Sequence, residues 1–430
     1  MHLDQLRTRL RRIRSSILIP IVIIAALPPL YFTLLNRMGG AYHFDREASY
    51  LSLSRGAVDL IQSAFADVDS DRLVDFHVHV VGLGTHCAGC SIHPDFYSNL
   101  HPLKRMRFRV YAGAAGITDF SRADRQYVER LLGLVRGISG HGRYLLMPFD
   151  RHYYPDGRIN HQHTEFYVPN DYVYDLQRRY PDDFLAAASI NPYRPDALTE
   201  LHRNADRGIR IIKWLPNAMG IDPHDPNLQP FYAAMRQRNL ILMTHAGMEQ
   251  AVESDEFQSL GNPLYLRAPL DAGVRVIVAH CASLGRSADF ESPGAPETDN
   301  FRLFLRLFHD PRYERLLYGE ISAMTQANRL GDSLATSPIA HILNHPEMHP
   351  RLINGSDYPL PGINIVIRTR DLESAGMINA EQRELLNEIY RYNPLLFDYV
   401  LKRTIHHPEN PEARLSPEIF MAPPEWRLPI

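Results

Sequence analysis

Leu73-Val74-Asp75-Phe76-His77-Val78-His79-Val80 is an apolar run interrupted only by one acid and two histidines. It lacks helical periodicity and is rich in valine, which reads as a strand buried on both faces. Residues two apart in a strand share a side. His77 and His79 therefore project together from its C-terminal end. Seven further short apolar runs follow, at 144–149, 184–190, 209–215, 240–244, 274–279, 316–321 and 351–353. Segments with helical spacing lie between most of them, among them 124–135, 196–207, 227–238 and 300–308. Eight buried strands alternating with helices predict an α/β protein built as a closed (β/α)8 TIM barrel. The runner-up is an open doubly wound sheet. That fold would bring a Gly-rich phosphate turn after its first strand, and Gly82-Leu83-Gly84 has no third Gly at the required offset.

Outward from this barrel, assigned to 72–404, the sequence divides into a helical lead-in over 41–71 and a Pro-rich tail over 405–430, read as surface coil. Five arginines (Arg7, Arg9, Arg11, Arg12, Arg14) precede an uncharged stretch from Ser15 to Asn36. Within it, residues 17–35 approach the ~20 needed to cross a hydrocarbon core. This predicts a single-pass transmembrane helix in segment 1–40. The basic end would be cytoplasmic and the catalytic domain extracytoplasmic. A cleaved secretory signal is the alternative.

The net charge of −3 offers no broad basic surface, so nucleic acid is excluded as a partner. The three cysteines exclude a four-cysteine zinc site. Cys87 and Cys90 form either a close disulfide or two buried thiols. Cys281 should face away from His280 and pack in the core.

Strand ends recur as the place for chemistry. Lys213 ends the fourth run, His245 the fifth, His280 the sixth and Asp357 the eighth. Each alone has a plain explanation as a core histidine, a helix cap or a solvent-reaching lysine. A barrel brings these ends to one mouth, where active sites of this architecture sit. Three connections there are longer than a barrel needs, at 81–111, 150–171 and 282–299. Glu320, ending the seventh run, either faces the mouth or forms a buried ion pair. His152, His161, His163 and Glu165 either contact substrate or belong to a solvated loop. Arg267 and Arg286 either suit an anionic substrate or lie on the surface.

Taken together, the His77-x-His79 pair, Lys213, His245, His280 and Asp357 within Gly355-Ser356-Asp357-Tyr358-Pro359 resemble the amidohydrolase superfamily, in its branch of metal-dependent hydrolases and non-oxidative decarboxylases. The resemblance spans roughly residues 72–400. It implies a divalent ion, Zn2+ foremost, held by His77, His79, His245 and Asp357. Asp357 would move protons, and His280 would stabilise an oxyanion. One ion is the leading expectation. A second would need Lys213 carboxylated and His280 as a ligand. The expected reaction is hydrolysis of an amide, lactone or ester of a small molecule. Decarboxylation on the same scaffold is the first alternative, and an inactive, membrane-tethered binding barrel the second. Relatives of this kind suggest a homodimer. Arg286, Glu320 and His163 complete the expected site as substrate contacts.

Overall fold

A computed structural model of the chain describes residues 50–252, 255–426 and 428. All eight apolar runs are strands of one ring. They are β1 (Val74–His79), β2 (Arg143–Met147), β3 (Phe184–Ala186, continuing as Ala188–Ser189), β4 (Ile211–Trp214), β5 (Ile241–His245), β6 (Arg275–Ala279), β7 (Leu317–Glu320) and β8 (Leu352–Ile353). Each pairs in parallel with the next. The ring closes at the β1/β8 seam. There Phe76 N–H donates to the Asn354 carbonyl (2.9 Å) and Asp357 N–H to the His77 carbonyl (2.7 Å). Val78 makes a parallel bridge with Tyr358. This closure decides against the open sheet.

Long helices surround the ring: α1 (Arg55–Phe65), α2 (Pro102–Ala114), α3 (Ala123–Arg136), α4 (Asn170–Arg179), α5 (Ala197–Asp206), α6 (Gln229–Gln237), α7 (Asn300–Phe308), α8 (Ala380–Tyr392) and α9 (Pro394–Thr404). α7 shows how the sequence sets them. Asp299 caps its start by accepting from Phe301 N and Arg302 N, while Phe301, Phe304, Leu307 and Phe308 bury one face. In the lead-in, the described helix is α1, capped by Ser54, with Phe65 stacked on Tyr399 of α9 at 4.3 Å.

The barrel interior is a second, smaller core, filled by Val74, Phe76, Met147, Ile211, Met243, Ile277 and Ile353. The tail finishes it. Expected as surface coil, it instead forms a hairpin (His406–His407 with Asn410–Arg414) and then turns beneath the ring. Ala422 N–H donates to the Arg72 carbonyl (2.7 Å) just before β1. Trp426 is 1% exposed and meets Phe76 (5.5 Å) and Tyr318 (4.9 Å) edge-on. An indole sealed under an apolar interior gains both area burial and ring geometry. Among the described residues Trp426 thus covers the end of the barrel opposite its C-terminal mouth.

The membrane placement is corrected. Among the described residues no helix is long and apolar enough to cross a membrane. The stretch at 17–35 on which that placement rested lies outside the described residues. The transmembrane helix and the extracytoplasmic location are withdrawn.

Candidate functional site

The strand ends bring the expected residues together. The β1–β2 register shifts between Asp75 and Val78. Val74 and Phe76 thus fill the interior, and His77 and His79 still face the mouth after the irregularity. His77, His79, Lys213, His245, His280 and Asp357 line one cavity of about 830 Å³.

Three donor atoms lie at the centre. His77 Nε2 is 3.1 Å from His79 Nε2 and 3.5 Å from Asp357 Oδ1, and His79 Nε2 is 3.3 Å from Asp357 Oδ1. A tetrahedral ion bonded at ~2.0–2.1 Å has donor–donor edges of about 3.3–3.4 Å. The three atoms are spaced as one face of such a polyhedron. His245 Nε2 is buried with no hydrogen-bond partner, a bare acceptor on the same cavity. The donor set fits a divalent cation.

Surrounding groups fix the rings. His77 Nδ1 donates to Glu320 Oε2 at 2.9 Å, which leaves Nε2 bare. His280 Nδ1 donates to the Ser322 carbonyl (3.1 Å), and its Nε2 stands 4.0 Å from Asp357 Oδ2. Ser322 Oγ donates to Glu320 Oε2 at 2.8 Å. His245 Nδ1 lies 3.5 Å from Glu249 Oε2. Burial holds His77, His245 and His280 below the usual histidine range, so their rings are neutral and able to ligate. Burial pushes Glu320 up and Lys213 down. Lys213 Nζ is 3.4 Å from His77 Nε2 and has no carboxylate in ion-pair range among the described residues.

The backbone bends to present these groups. His280, Cys281 and Ala282 take left-handed φ of 55°, 48° and 52°, and Asp357 takes 59°. This region disfavours residues with a Cβ by about 1–2 kcal/mol each. The cost concentrates where side chains converge. Gly355 is required by close approach, because a Cβ there would lie 2.4 Å from His77 Cβ and 2.6 Å from Glu320 Oε1. Asp75 Oδ1 accepts from His77 N (3.0 Å) and Ser356 N (2.9 Å), tying β1 to the Asp357 loop.

Residues 147–327 match the family model described as amidohydrolase. Over that span the chain is similar to the amidohydrolases. The match covers less than half of the chain, and the convergence extends beyond it, because β1 and the Asp357 loop lie outside that range. The fold is similar to that of an uncharacterised TIM-barrel protein from Bordetella bronchiseptica, at 16% identity and TM-score 0.43, covering 74% of this chain and 98% of that one. A putative 2-pyrone-4,6-dicarboxylic acid hydrolase from Pseudomonas putida is similar at 17% identity and TM-score 0.41, covering 76% and 98%. A manganese-bound 5-carboxyvanillate decarboxylase from Novosphingobium aromaticivorans is similar at 13% identity and TM-score 0.39, covering 73% and 93%. No curated protein matches the chain.

The remaining candidates separate. Glu320 is fully buried as the partner of His77, not as a wall of the cavity. His163 sits outside the cavity against Phe257 and Glu256. His152 is buried beside it, His161 is exposed and Glu165 pairs with Lys104. Arg286 is exposed in the hairpin Arg286–Ala288/Glu297–Asp299, where its guanidinium donates to the Glu297 carbonyl. Arg267 is held by Glu291 and Asp310. Cys281 is fully buried and packs on the outer side, as expected. Cys87 and Cys90 are joined as a disulfide. Of the three long connections, the first supplies the roof through α2, while none of 282–299 reaches the cavity. Sequence reading missed Arg329, Glu249 and Ser322. Arg329 sits in a short turn (Ala327–Arg329) with no periodic pattern to mark it.

Proposed function

We propose that this chain is a metal-dependent hydrolase of the amidohydrolase type that cleaves an amide, lactone or ester bond in a small molecule. The observation that carries the reading is the placement of Asp357. Its Oδ1 lies beside the two Nε2 atoms of His77 and His79, and its Oδ2 faces His280 Nε2. His77, His79, His245 and Asp357 would hold one divalent ion, with zinc favoured by the nitrogen-rich donors and their spacing. Such an ion, when bound, acidifies water and polarises an acyl oxygen.

The chain's own groups do the rest. Asp357 takes a proton from the attacking water at Oδ2, the oxygen that faces His280 Nε2, and returns it to the leaving group. His280, neutral and anchored through Nδ1, offers Nε2 to the proton that Asp357 carries. Glu320 holds the His77 ring in the tautomer that leaves Nε2 free. Lys213, as an ammonium, opposes the negative charge that develops at the acyl oxygen. The deep apolar cavity limits competing water.

Decarboxylation is the second reading. It is favoured by a specific feature, a buried arginine beside the same cavity. A panel of lactones, esters and amides, run beside CO2 release from aromatic and unsaturated acids, separates the two. Hydrolysis without CO2 is the expected result. CO2 production with no hydrolysis of any panel member would replace the hydrolase with a lyase.

A further inference from the structure

Helix α2 is apolar on two faces, and only one of them is packed. Phe108, Ala112 and Ala114 are buried on the first, where Phe108 meets Phe96 (6.1 Å) and Phe120 (5.3 Å) ring to ring. Leu103, Met106, Arg107, Val110 and Tyr111 line the cavity on the second. Their spacing is that of one continuous helical face. A helix apolar on both faces normally lies between two layers. Among the described residues the second layer is absent. Met106 and Val110 are half-buried, and Leu103 is 73% exposed.

The facing wall is of the same kind. Leu360 and Val366, on the segment that follows the Asp357 turn, are half-buried, and Ile365 is 44% exposed. The two walls are fixed to each other at one end. Gly362 packs so closely on α2 that a Cβ there would lie 2.9 Å from the Ala114 carbonyl oxygen. They part toward Leu103 and Ile365, whose exposure marks the entrance. A gap between walls pinned in this way persists as a slot.

The slot is continuous with the donor cluster, since His77, His79 and Asp357 line the same cavity. Its polar groups are few. The Tyr111 hydroxyl is already satisfied by the Ala251 carbonyl (2.9 Å), and Arg107 is the one charge on this face of α2. Water between such walls finds few partners, and hydrocarbon that displaces it is favoured. The slot also has a length. From Leu103 to Val110 the helix axis advances about 10 Å. That is the reach of an extended medium-length acyl chain, and more than a single aromatic ring covers.

We infer that the slot between α2 and the 360–366 segment takes a straight hydrocarbon chain of the substrate, and that Met106 and Val110 set the chain length accepted. The inference rests on the reading of the cavity as a hydrolase active site, and it adds the substrate class: an acyl compound with a medium-length aliphatic chain.

The test uses the full chain, with metal content measured on each sample. The probes are butanamide, hexanamide and octanamide, with affinities read by calorimetry. Each covered methylene should tighten binding about threefold to fourfold, so octanamide should bind about 10²-fold more tightly than butanamide. Met106→Trp, which places bulk in the slot, should abolish the gain beyond hexanamide and leave metal content unchanged. Val110→Phe should act in the same direction, and it serves as the reading variant should Met106→Trp not fold. Equal affinity for butanamide and octanamide, or a gain undiminished in the folded variants, overturns the inference. Self-association that Leu103→Gln abolishes, with no chain-length dependence in binding, would also overturn it and assign the apolar lip to a second copy of the chain. A chain-length dependence that the variants shorten, in a protein that takes up no metal, would sink the proposed function and leave the slot standing as a site for aliphatic chains.

Discussion

Asp357→Asn is expected to lower kcat by about 10²–10⁴-fold on whatever substrate the wild-type chain turns over. The reasons are separable. An amide cannot take the proton that the carboxylate accepts, and it is a weaker partner for a cation. The fold should survive, because Asn tolerates the left-handed φ of 59° that this position adopts. The backbone bond from residue 357 N–H to the His77 carbonyl, at 2.7 Å, is also untouched. The check is steady-state turnover alongside a melting curve. Unchanged turnover would place the chemistry elsewhere. Lost turnover with a collapsed melt would show that Asp357 is structural.

Lys402→Met should be strongly destabilising. Lys402 is fully buried on α9, one layer below the site. Its Nζ donates to Asp398 Oδ2 (2.6 Å), the Gly355 carbonyl (2.6 Å) and Asn354 Oδ1 (3.3 Å). It therefore compensates a buried carboxylate and pins the turn that delivers Asp357. Breaking one partner of such a pair costs about 3–5 kcal/mol, because the other charge is left buried and unmatched.

The loss should depend on pH. Burial already raises Asp398 above the usual carboxylate range, and Lys402 opposes that rise. Without the lysine the folded-state value climbs further. The native state then binds a proton that the unfolded chain releases, so stability falls as pH rises. The deficit of Lys402→Met should be smaller at about pH 5 than at about pH 8. Denaturant melts at the two values test this, and Lys402→Met/Asp398→Leu should recover much of the loss. A pH-independent deficit would show that lost packing, not the stranded carboxylate, is the cause.

The sequence carried the barrel because its signal is local. Each of the eight runs is short, apolar and bounded, and each became a strand. Strand ends also told which residues meet, since closure of the ring forces His77, His79, Lys213, His245, His280 and Asp357 to one mouth. What stayed hidden depends on contacts distant in the chain. Nothing in the Pro-rich composition of 405–430 says that Trp426 returns to meet Phe76, some 350 residues earlier. Glu320 was ambiguous because its partner is His77, on the far side of the sequence. Arg286 suits an anionic substrate by residue type alone, and a hairpin carries it to the surface. Arg329 lies in an irregular turn, where neither period nor motif marks a residue that the fold then buries.

The most direct measurement is the metal content per chain, by elemental mass spectrometry, of wild type, His79→Ala and Asp357→Asn purified without chelator. His79 and Asp357 supply two of the three donor atoms that face one another at 3.1–3.5 Å. About one ion per wild-type chain, lost or sharply reduced in both variants, is the predicted result. A wild-type chain that takes up no ion, even when metal is supplied, or variants that keep the full wild-type content, would contradict it.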